Sequence, residues 1–239
     1  MKLLFFSDIH ANLPAFEAFL QKAEEIQPDA IYCLGDLVGY NVWANEVIDS
    51  IRKRRIPTIM GNHDEKQLQD LTGDTSNGGL TQKLLGEEQR RFLQQLPRHL
   101  SLEFGTGEKV FRMEMMHGSK KAINDYLLED YPEADVLKMM AESNADLFLS
   151  GHTHLPYHRI IQEEEHYKHV INVGSAGKPK DRNTDGCCAL LEFDQLDPKD
   201  PQSIKVSFPR FSYDVKKAMQ GILDSDFPDK FAKALEKAR

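Results

Sequence analysis

Asp8 and His10 stand two positions apart in Ser7-Asp8-Ile9-His10, directly after the apolar run Leu3–Phe6. Side chains two apart on extended backbone lean to the same side. A carboxylate oxygen and an imidazole nitrogen can therefore grip one hard-to-borderline metal ion. Asp-x-His alone is common. It gains weight from four later stretches: Gly35-Asp36, Gly61-Asn62-His63-Asp64, His117-Gly118 and Gly151-His152-Thr153-His154. Each follows a strand-like run, and open α/β sheets bind ligands at the carboxyl ends of their strands. These residue types suit a pair of ions ~3.5–4 Å apart, which needs one shared carboxylate between them. Neutral imidazoles and an amide oxygen complete the shells without cancelling the positive charge. Such ions lower the pKa of a shared water, so that a bridging hydroxide forms near neutral pH. They also hold phosphoryl oxygens as charge shifts in a transition state. A group that is not a ligand must then protonate the departing alkoxide.

Alternating strands and helices must present these loops. Leu3–Phe6, Ala30–Leu34 and Pro57–Met60 read as buried strands, each ending in one of the stretches above. Between them, Asn12 can cap a helix with Pro14 in its first turn and Phe16, Phe19, Leu20, Ala23 and Ile26 on one face. A second helix starts near Asn45, with Val47, Ile48 and Ile51 inward. Units of this kind predict a parallel core. Residues 65–98 carry two helical pieces, near 79–85 and 87–96. They are either a connector or a small cap that shapes substrate access. Gly105-Thr106-Gly107 reads as a hairpin turn between Leu100–Phe104 and Lys109–Met116. A helix over 133–143 and a strand at Leu147–Leu149 follow. The remainder is mostly β: Tyr157–Ile161, Lys168–Val173, Cys187–Phe193 and Ile204–Phe208, with a hairpin tip at Glu163–His166 and closing helices near 214–224 and 228–238. With no obvious linker, residues 1–239 read as one domain with a helical cap-like insertion at about 65–98.

Composition is that of a globular chain: 239 residues, 40% hydrophobic and 28% charged. A net charge of −8 argues against an extended nucleic-acid surface. The basic run Arg52-Lys53-Arg54-Arg55 reads as a solvated helix end that complements the dipole. Cys33, Cys187 and Cys188 lack metal-site spacing and lie in apolar runs, so they read as buried thiols suited to a reducing cytoplasm. No run approaches the ~18 apolar residues of a membrane span.

In this order, the stretches resemble the calcineurin-like metallophosphoesterase superfamily, and most of all its small bacterial phosphodiesterase-like branch. Ser7-Asp8-Ile9-His10-Ala11-Asn12-Leu13-Pro14 and Gly35-Asp36-Leu37-Val38-Gly39-Tyr40 carry the likeness, which spans at least residues 2–177. The resemblance implies an α/β fold of two packed mixed β-sheets flanked by helices, a four-layer αββα sandwich with the metals at one edge. It implies that Asp8, His10, Asp36 and His154 hold one ion, that Asp36, Asn62, His117 and His152 hold the other, and that His63 faces the phosphate as general acid or phosphate binder. The ions are divalent Mn, Fe, Co, Ni or Zn; the absence of a thiolate ligand leaves the choice open. The implied activity is metal-dependent hydrolysis of a phosphoester, most simply a phosphodiester or nucleotide-like small molecule. Two dications against two carboxylates and a hydroxide leave about +1, which welcomes a phosphodiester anion. Two rivals are a metal-binding scaffold without catalysis and a nuclease for polymeric nucleic acid. The complete ligand set with His63 disfavours the first, and the acidic balance disfavours the second.

Other residues carry weaker expectations. Asp64 is a candidate for orienting its neighbours. Ser7 and Thr153 suit local hydrogen bonds. Gly174-Ser175-Ala176-Gly177 is a turn or a substrate contact, and Lys178–Arg182 offers cations to a phosphate. Tyr40 and Asn45 could line the cleft. His99, His158, His166 and His169 read as solvated or satisfied polar groups.

Overall fold

In the computed structural model, which describes residues 1–106 and 109–239, the first apolar run is strand β1 (Lys2–Phe6). Every residue of β1 after Lys2 is buried, which is why the run shows no alternation. Helix α1 (Leu13–Ile26) starts as its sequence requires: Asn12 Oδ1 accepts from the Ala15 amide at 3.2 Å, and Pro14 occupies the first turn. The Asn12 amide group also donates to the Gly177 carbonyl at 2.7 Å, so the cap is tied to a distant loop. β2 (Ala30–Cys33) and α2 (Ala44–Arg54) follow, and the basic run closes α2. Pro57–Met60 is not the expected third strand. It touches β2 through one parallel bridge, Cys33 to Thr58. Pro57 has no N–H to give, and the Met60 amide turns away to the Pro97 carbonyl at 2.8 Å.

A short helix not anticipated from the sequence, α3 (Asn62–Lys66), begins at the third motif. α4 (Asn77–Leu84) and α5 (Glu87–Gln94) match the two expected helical pieces within a few residues. β3 (His99–Thr106) and β4 (Lys109–Met116) pair antiparallel; the expected Gly105-Thr106-Gly107 turn extends, at Gly107, outside the described residues. α6 (Glu133–Ser143) leads to β5 (Leu147–Ser150), then to the hairpin β6 (Tyr157–Glu163) and β7 (His166–Asn172), whose tip includes Glu164 at φ 55°. The expected strand Cys187–Phe193 is split into β8 (Gly186–Cys187) and β9 (Ala189–Glu192). The Cys188 amide leaves the ladder for the Pro209 carbonyl at 3.2 Å. β10 (Lys205–Ser207), an unanticipated β11 (Arg210–Phe211), α7 (Val215–Leu223) and α8 (Lys230–Lys237) complete the chain.

Two mixed sheets result, with strand orders β10-β9-β1-β2 and β3-β4-β5-β7-β6; β8 and β11 form a separate pair. Among the named strands, β1 pairs parallel with β2, and β5 pairs parallel with β4 and β7; the other pairings are antiparallel. The sheets face each other across Leu3, Phe5, Met113, Met115, Leu147 and Leu149. Leu4 and Phe6, on the other face of β1, pack against Phe16, Phe19, Val47 and Ile48 of α1 and α2. Phe148 and Val170 pack against Val136, Met139 and Met140 of α6. The layers therefore run helix, sheet, sheet, helix. β1, β2, β4 and β5 lead directly into the loops that carry Asp8, Asp36, His117 and His152.

Leu149→Ala, in the layer between the sheets, is expected to lower unfolding free energy by about 2–5 kcal/mol. Ile160→Ala on the exposed face of β6 should cost less than about 1 kcal/mol. Urea unfolding of the two variants checks the contrast.

Candidate metal centre

The motif loops are zipped together by main-chain bonds. Asp8 N–H donates to the Gly35 carbonyl at 3.0 Å, His10 N–H to the Asp36 carbonyl at 3.0 Å, and Gly151 N–H to the His117 carbonyl at 2.9 Å. Asp64 organises one of these loops from beneath. Its carboxylate accepts four amides: Asp36 at 2.8 Å, Leu37 at 2.9 Å, Val38 at 3.3 Å and Gly61 at 3.0 Å. Burial and the Asp36 carboxylate push its pKa up to about 7. The Gly174–Gly177 loop is a brace for Asp8: Ser175 Oγ donates to the Asp8 carbonyl at 2.8 Å and Gly177 N–H donates to it at 3.1 Å.

The side chains are held at a backbone cost. Asp8, His10, Asp36, His152 and His154 all have φ between 52° and 64°, the left-handed region that non-glycine residues rarely occupy. Two motif glycines exist for close approach. A Cβ on Gly61 would lie 2.1 Å from Asp36 Oδ1, and one on Gly151 would lie 2.2 Å from Ser7 Oγ and 2.7 Å from Asp8 Oδ2.

The geometry places lone pairs against lone pairs. His10 Nδ1 lies 3.0 Å from the Val38 carbonyl, His117 Nδ1 lies 2.7 Å from the Leu34 carbonyl, and His154 Nδ1 meets the Lys178 carbonyl. A carbonyl can only accept, so each of these rings keeps a proton on Nδ1, and in the neutral form it presents a bare Nε2 inward. His10 Nε2 and His154 Nε2 then face each other at 3.2 Å. His117 Nε2 faces the Asn62 amide oxygen at 3.1 Å and Asp36 Oδ2 at 3.3 Å. His154 Nε2 lies 3.1 Å from Asp8 Oδ1. His152 has the reverse tautomer: Nε2 donates to the Asn124 carbonyl at 3.1 Å, leaving Nδ1 bare.

Each carboxylate has one committed oxygen. Asp8 Oδ2 accepts from the His152 amide at 2.9 Å, and Asp36 Oδ1 from the His63 amide at 2.8 Å. The other oxygens, Asp8 Oδ1 and Asp36 Oδ2, are buried with no hydrogen-bond partner among the described residues. His10 Nε2 is 3.7 Å from both. Buried acceptors without donors are costly, and cations relieve that cost. Ligand-capable atoms of Asp8, His10 and His154 lie within 4.8 Å of one another, as do those of Asp36, His117 and His152. His63 also comes within that range of His10 and Asp36. The donor set therefore fits divalent ions held by oxygen and imidazole nitrogen.

Protonation follows the same logic. Burial alone would raise the Asp8 and Asp36 carboxyls; the imidazoles of His154 and His117 outweigh it and hold both well below the usual range. Burial opposes charge on His117, but Asp36 prevails and pushes its pKa up to about 10, so a proton there serves as a poor substitute for a cation. Burial pushes His10, His63 and His152 down, towards the neutral form that ligands need.

The other expected residues fall out unevenly. Tyr40 lines the cleft, its ring 4.7 Å from that of His63. Asn45 does not; it joins the Leu84 carbonyl and the Gly86 amide. Lys180 lines the cleft, whereas the Lys178 ammonium sits over the Tyr40 ring at 4.8 Å. Thr153 makes the expected local bond, to the Leu155 carbonyl, whereas the Ser7 hydroxyl donates to the Gly35 carbonyl of a different motif loop. His158 and His169 pair with each other at 3.0 Å, away from the cleft. All three cysteines are buried and unpaired. Sequence reasoning missed Asn124 and Tyr126, which sit in an irregular segment without pattern, and Asn77. The Asn77 Oδ1 accepts from the Tyr40 amide at 2.8 Å, so its NH2 faces His63 Nδ1 at 3.4 Å.

A family model for the calcineurin-like phosphoesterase superfamily domain matches residues 1–196, and the chain belongs to that superfamily. An uncharacterized protein of Methanocaldococcus jannaschii is 32% identical over 242 residues, which cover 93% of this chain and 92% of that protein. The crystal structure of a metallophosphoesterase from Sphaerobacter thermophilus shares the fold with a TM-score of 0.79 at 24% identity, covering 100% of this chain and 99% of that one. That of a hypothetical protein from Pyrococcus horikoshii gives 0.81 at 24% identity, covering 98% and 97%. No helix among the described residues is long and apolar enough to cross a membrane.

Without metal, protonated His117 stabilises the fold at pH values below its unfolded value of about 6.5, and this contribution is lost as pH rises towards the folded value of about 10. The chelator-treated protein should therefore lose stability on that count across this range. Manganese should raise the melting midpoint more at pH 9 than at pH 6, because ligands must be deprotonated to bind. Thermal melts with and without metal at both pH values measure this.

Proposed function

We propose that the chain is a phosphodiesterase for a nucleotide-like diester, with two divalent ions as cofactor. The observation that carries this reading is the donor-free meeting of imidazole nitrogens with the unpartnered Asp8 and Asp36 oxygens, closed on one side by His63. Asp8, His10, Asp36 and His154 hold one ion. Asp36, Asn62, His117 and His152 hold the other, with Asp36 shared. When bound, the ions polarise the phosphoryl oxygens and supply a nucleophilic water at neutral pH.

The protein's own groups do the rest. Asn77, with its oxygen taken by Tyr40, offers its NH2 to His63 Nδ1, and this leaves the ring proton on Nε2. From there the His63 Nε2–H hydrogen-bonds the scissile group and steadies the negative charge that builds on the departing oxygen. Its main-chain bond to Asp36 Oδ1 keeps this donor in register with the shared ligand.

The space around the cleft favours a diester. A cleft of ≈ 280 Å³ over Asp36, Asn62, His152 and His154 continues into two larger cavities. One, of ≈ 730 Å³, shares Tyr40, Asn62, His63 and Asn124 with it and reaches Asn77 and Phe231. The other, of ≈ 540 Å³, shares Tyr126 and Lys180. A diester has two arms to lodge, whereas a monoester has one. The first cavity touches α4, which supports residues at about 65–98 acting as a cap within one domain. The acidic total charge supports a small-molecule substrate over a polymer, and the cytoplasm as its setting fits three unpaired cysteines.

His63→Ala should leave the metal content intact while turnover of an aryl phosphodiester falls about 10²-fold or more. Turnover equal to that of the unmodified protein removes His63 from the chemistry; loss of metal would recast it as a ligand.

A further inference from the structure

The cavity at the Tyr126 end of the cleft brings cations together with exposed apolar side chains. It is lined by Tyr126, Leu128, Leu155, Lys180, Arg182 and Arg239. Lys180 and Arg182 have no carboxylate within salt-bridge range among the described residues. Asp181, the acid between them, is taken by Arg210 in an ion pair. On a chain of net charge −8, uncommitted cations gathered in one cavity are a local feature and not a background. Tyr126, Leu128 and Leu155 are three of the eight large apolar side chains most exposed among the described residues, and they meet in this one place.

The wall is braced. Arg182 sits at φ 65°, and its amide donates to the Ala238 carbonyl at 3.1 Å. Arg210 holds the same loop through the Asp185 carbonyl at 3.2 Å as well as through Asp181. The Tyr126 ring lies 4.4 Å from the ring of His152. An exposed aromatic face thus adjoins the proposed metal centre, with cations next to it.

We propose that this cavity binds the retained arm of the substrate, a nucleoside whose ring lies against Tyr126 and whose second phosphate is held by Lys180 and Arg182. The substrate class becomes a nucleotide diester that carries a further phosphate. A planar apolar surface suits a base, which stacks on aromatic side chains. Arginine suits phosphate because its planar fork matches the oxygens. The inference rests on the phosphodiesterase reading, since it assigns the scissile phosphate to the neighbouring cleft.

Calorimetric titration of the manganese-loaded protein with thymidine 3′,5′-bisphosphate and with thymidine 5′-monophosphate tests it without needing turnover. The bisphosphate should bind about tenfold more tightly or better, the scale of one well-placed charge contact. Arg182→Glu should bring the ratio to within about twofold of unity, and Arg182→Gln should lower it in the same direction should the first variant fail to fold. Equal affinities in the unmodified protein, or an undiminished ratio in both variants, overturn the proposal. Turnover of a plain aryl phosphodiester is measured alongside. If that ester is cleaved while the two nucleotides bind alike, the subsite fails alone. If the ester is untouched and neither nucleotide binds, the phosphodiesterase reading fails and takes the subsite with it.

Discussion

Two imidazole nitrogens, each with its ring proton already given to a carbonyl, meet at 3.2 Å in a buried cleft. Beside them lie two carboxylate oxygens that receive no hydrogen bond among the described residues. Lone pairs so arranged repel, and in a low-dielectric interior the repulsion is large. Only positive charge makes the arrangement favourable. Most of what is unusual in this structure serves to hold the acceptors in place against that repulsion. Ligand residues sit in left-handed backbone conformations, Asp64 is buried beneath them with four amides pointed at it, and glycines let main chain pass within contact distance.

The fold is suited to imposing such a constraint. Asp8 and Asp36 extend from adjacent parallel strands of one sheet, and His117 and His152 from adjacent parallel strands of the other. The two sheets are locked by an apolar layer that includes Phe5, Met115 and Leu149. A tightly packed layer resists deformation, so the loops at its edge cannot relax apart. Carbonyls of Leu34, Val38, Asn124 and Lys178 fix the imidazole tautomers from outside. Such outer contacts set both the orientation and the basicity of ligands. Proposed ions at this edge would join loops from both sheets, coupling metal binding to the stability of the whole sandwich.

The ligand types were legible in the sequence because they are side chains at the ends of apolar runs, and both features are visible without coordinates. Helices α1, α2 and α6 were equally plain, from Asn12, Pro14 and the spacing of their apolar residues. What could not be read depends on main chain. Nothing in Val38 or Leu34 marks its carbonyl as the partner of a histidine. The turn at Cys188 and the loss of a strand at Pro57–Met60 depend on tertiary acceptors, Pro209 and Pro97, far along the chain. Ser175 and Gly177, ambiguous between a turn and a substrate contact, prove to hold the Asp8 carbonyl. Tyr126 lies in an irregular segment without periodicity, so its position beside His152 is knowable only from the fold.

On the proposed reading, this acceptor cluster holds two ions that act together on a phosphoester. The most direct measurement strips the protein with chelator and adds manganese in steps, counting bound metal by elemental analysis while an aryl phosphodiester is turned over. The expected result is two ions per chain, with activity rising as the second ion binds. A titration in which no metal binds, saturation and full activity at one ion per chain, or full activity in the stripped protein would rule out the two-ion site.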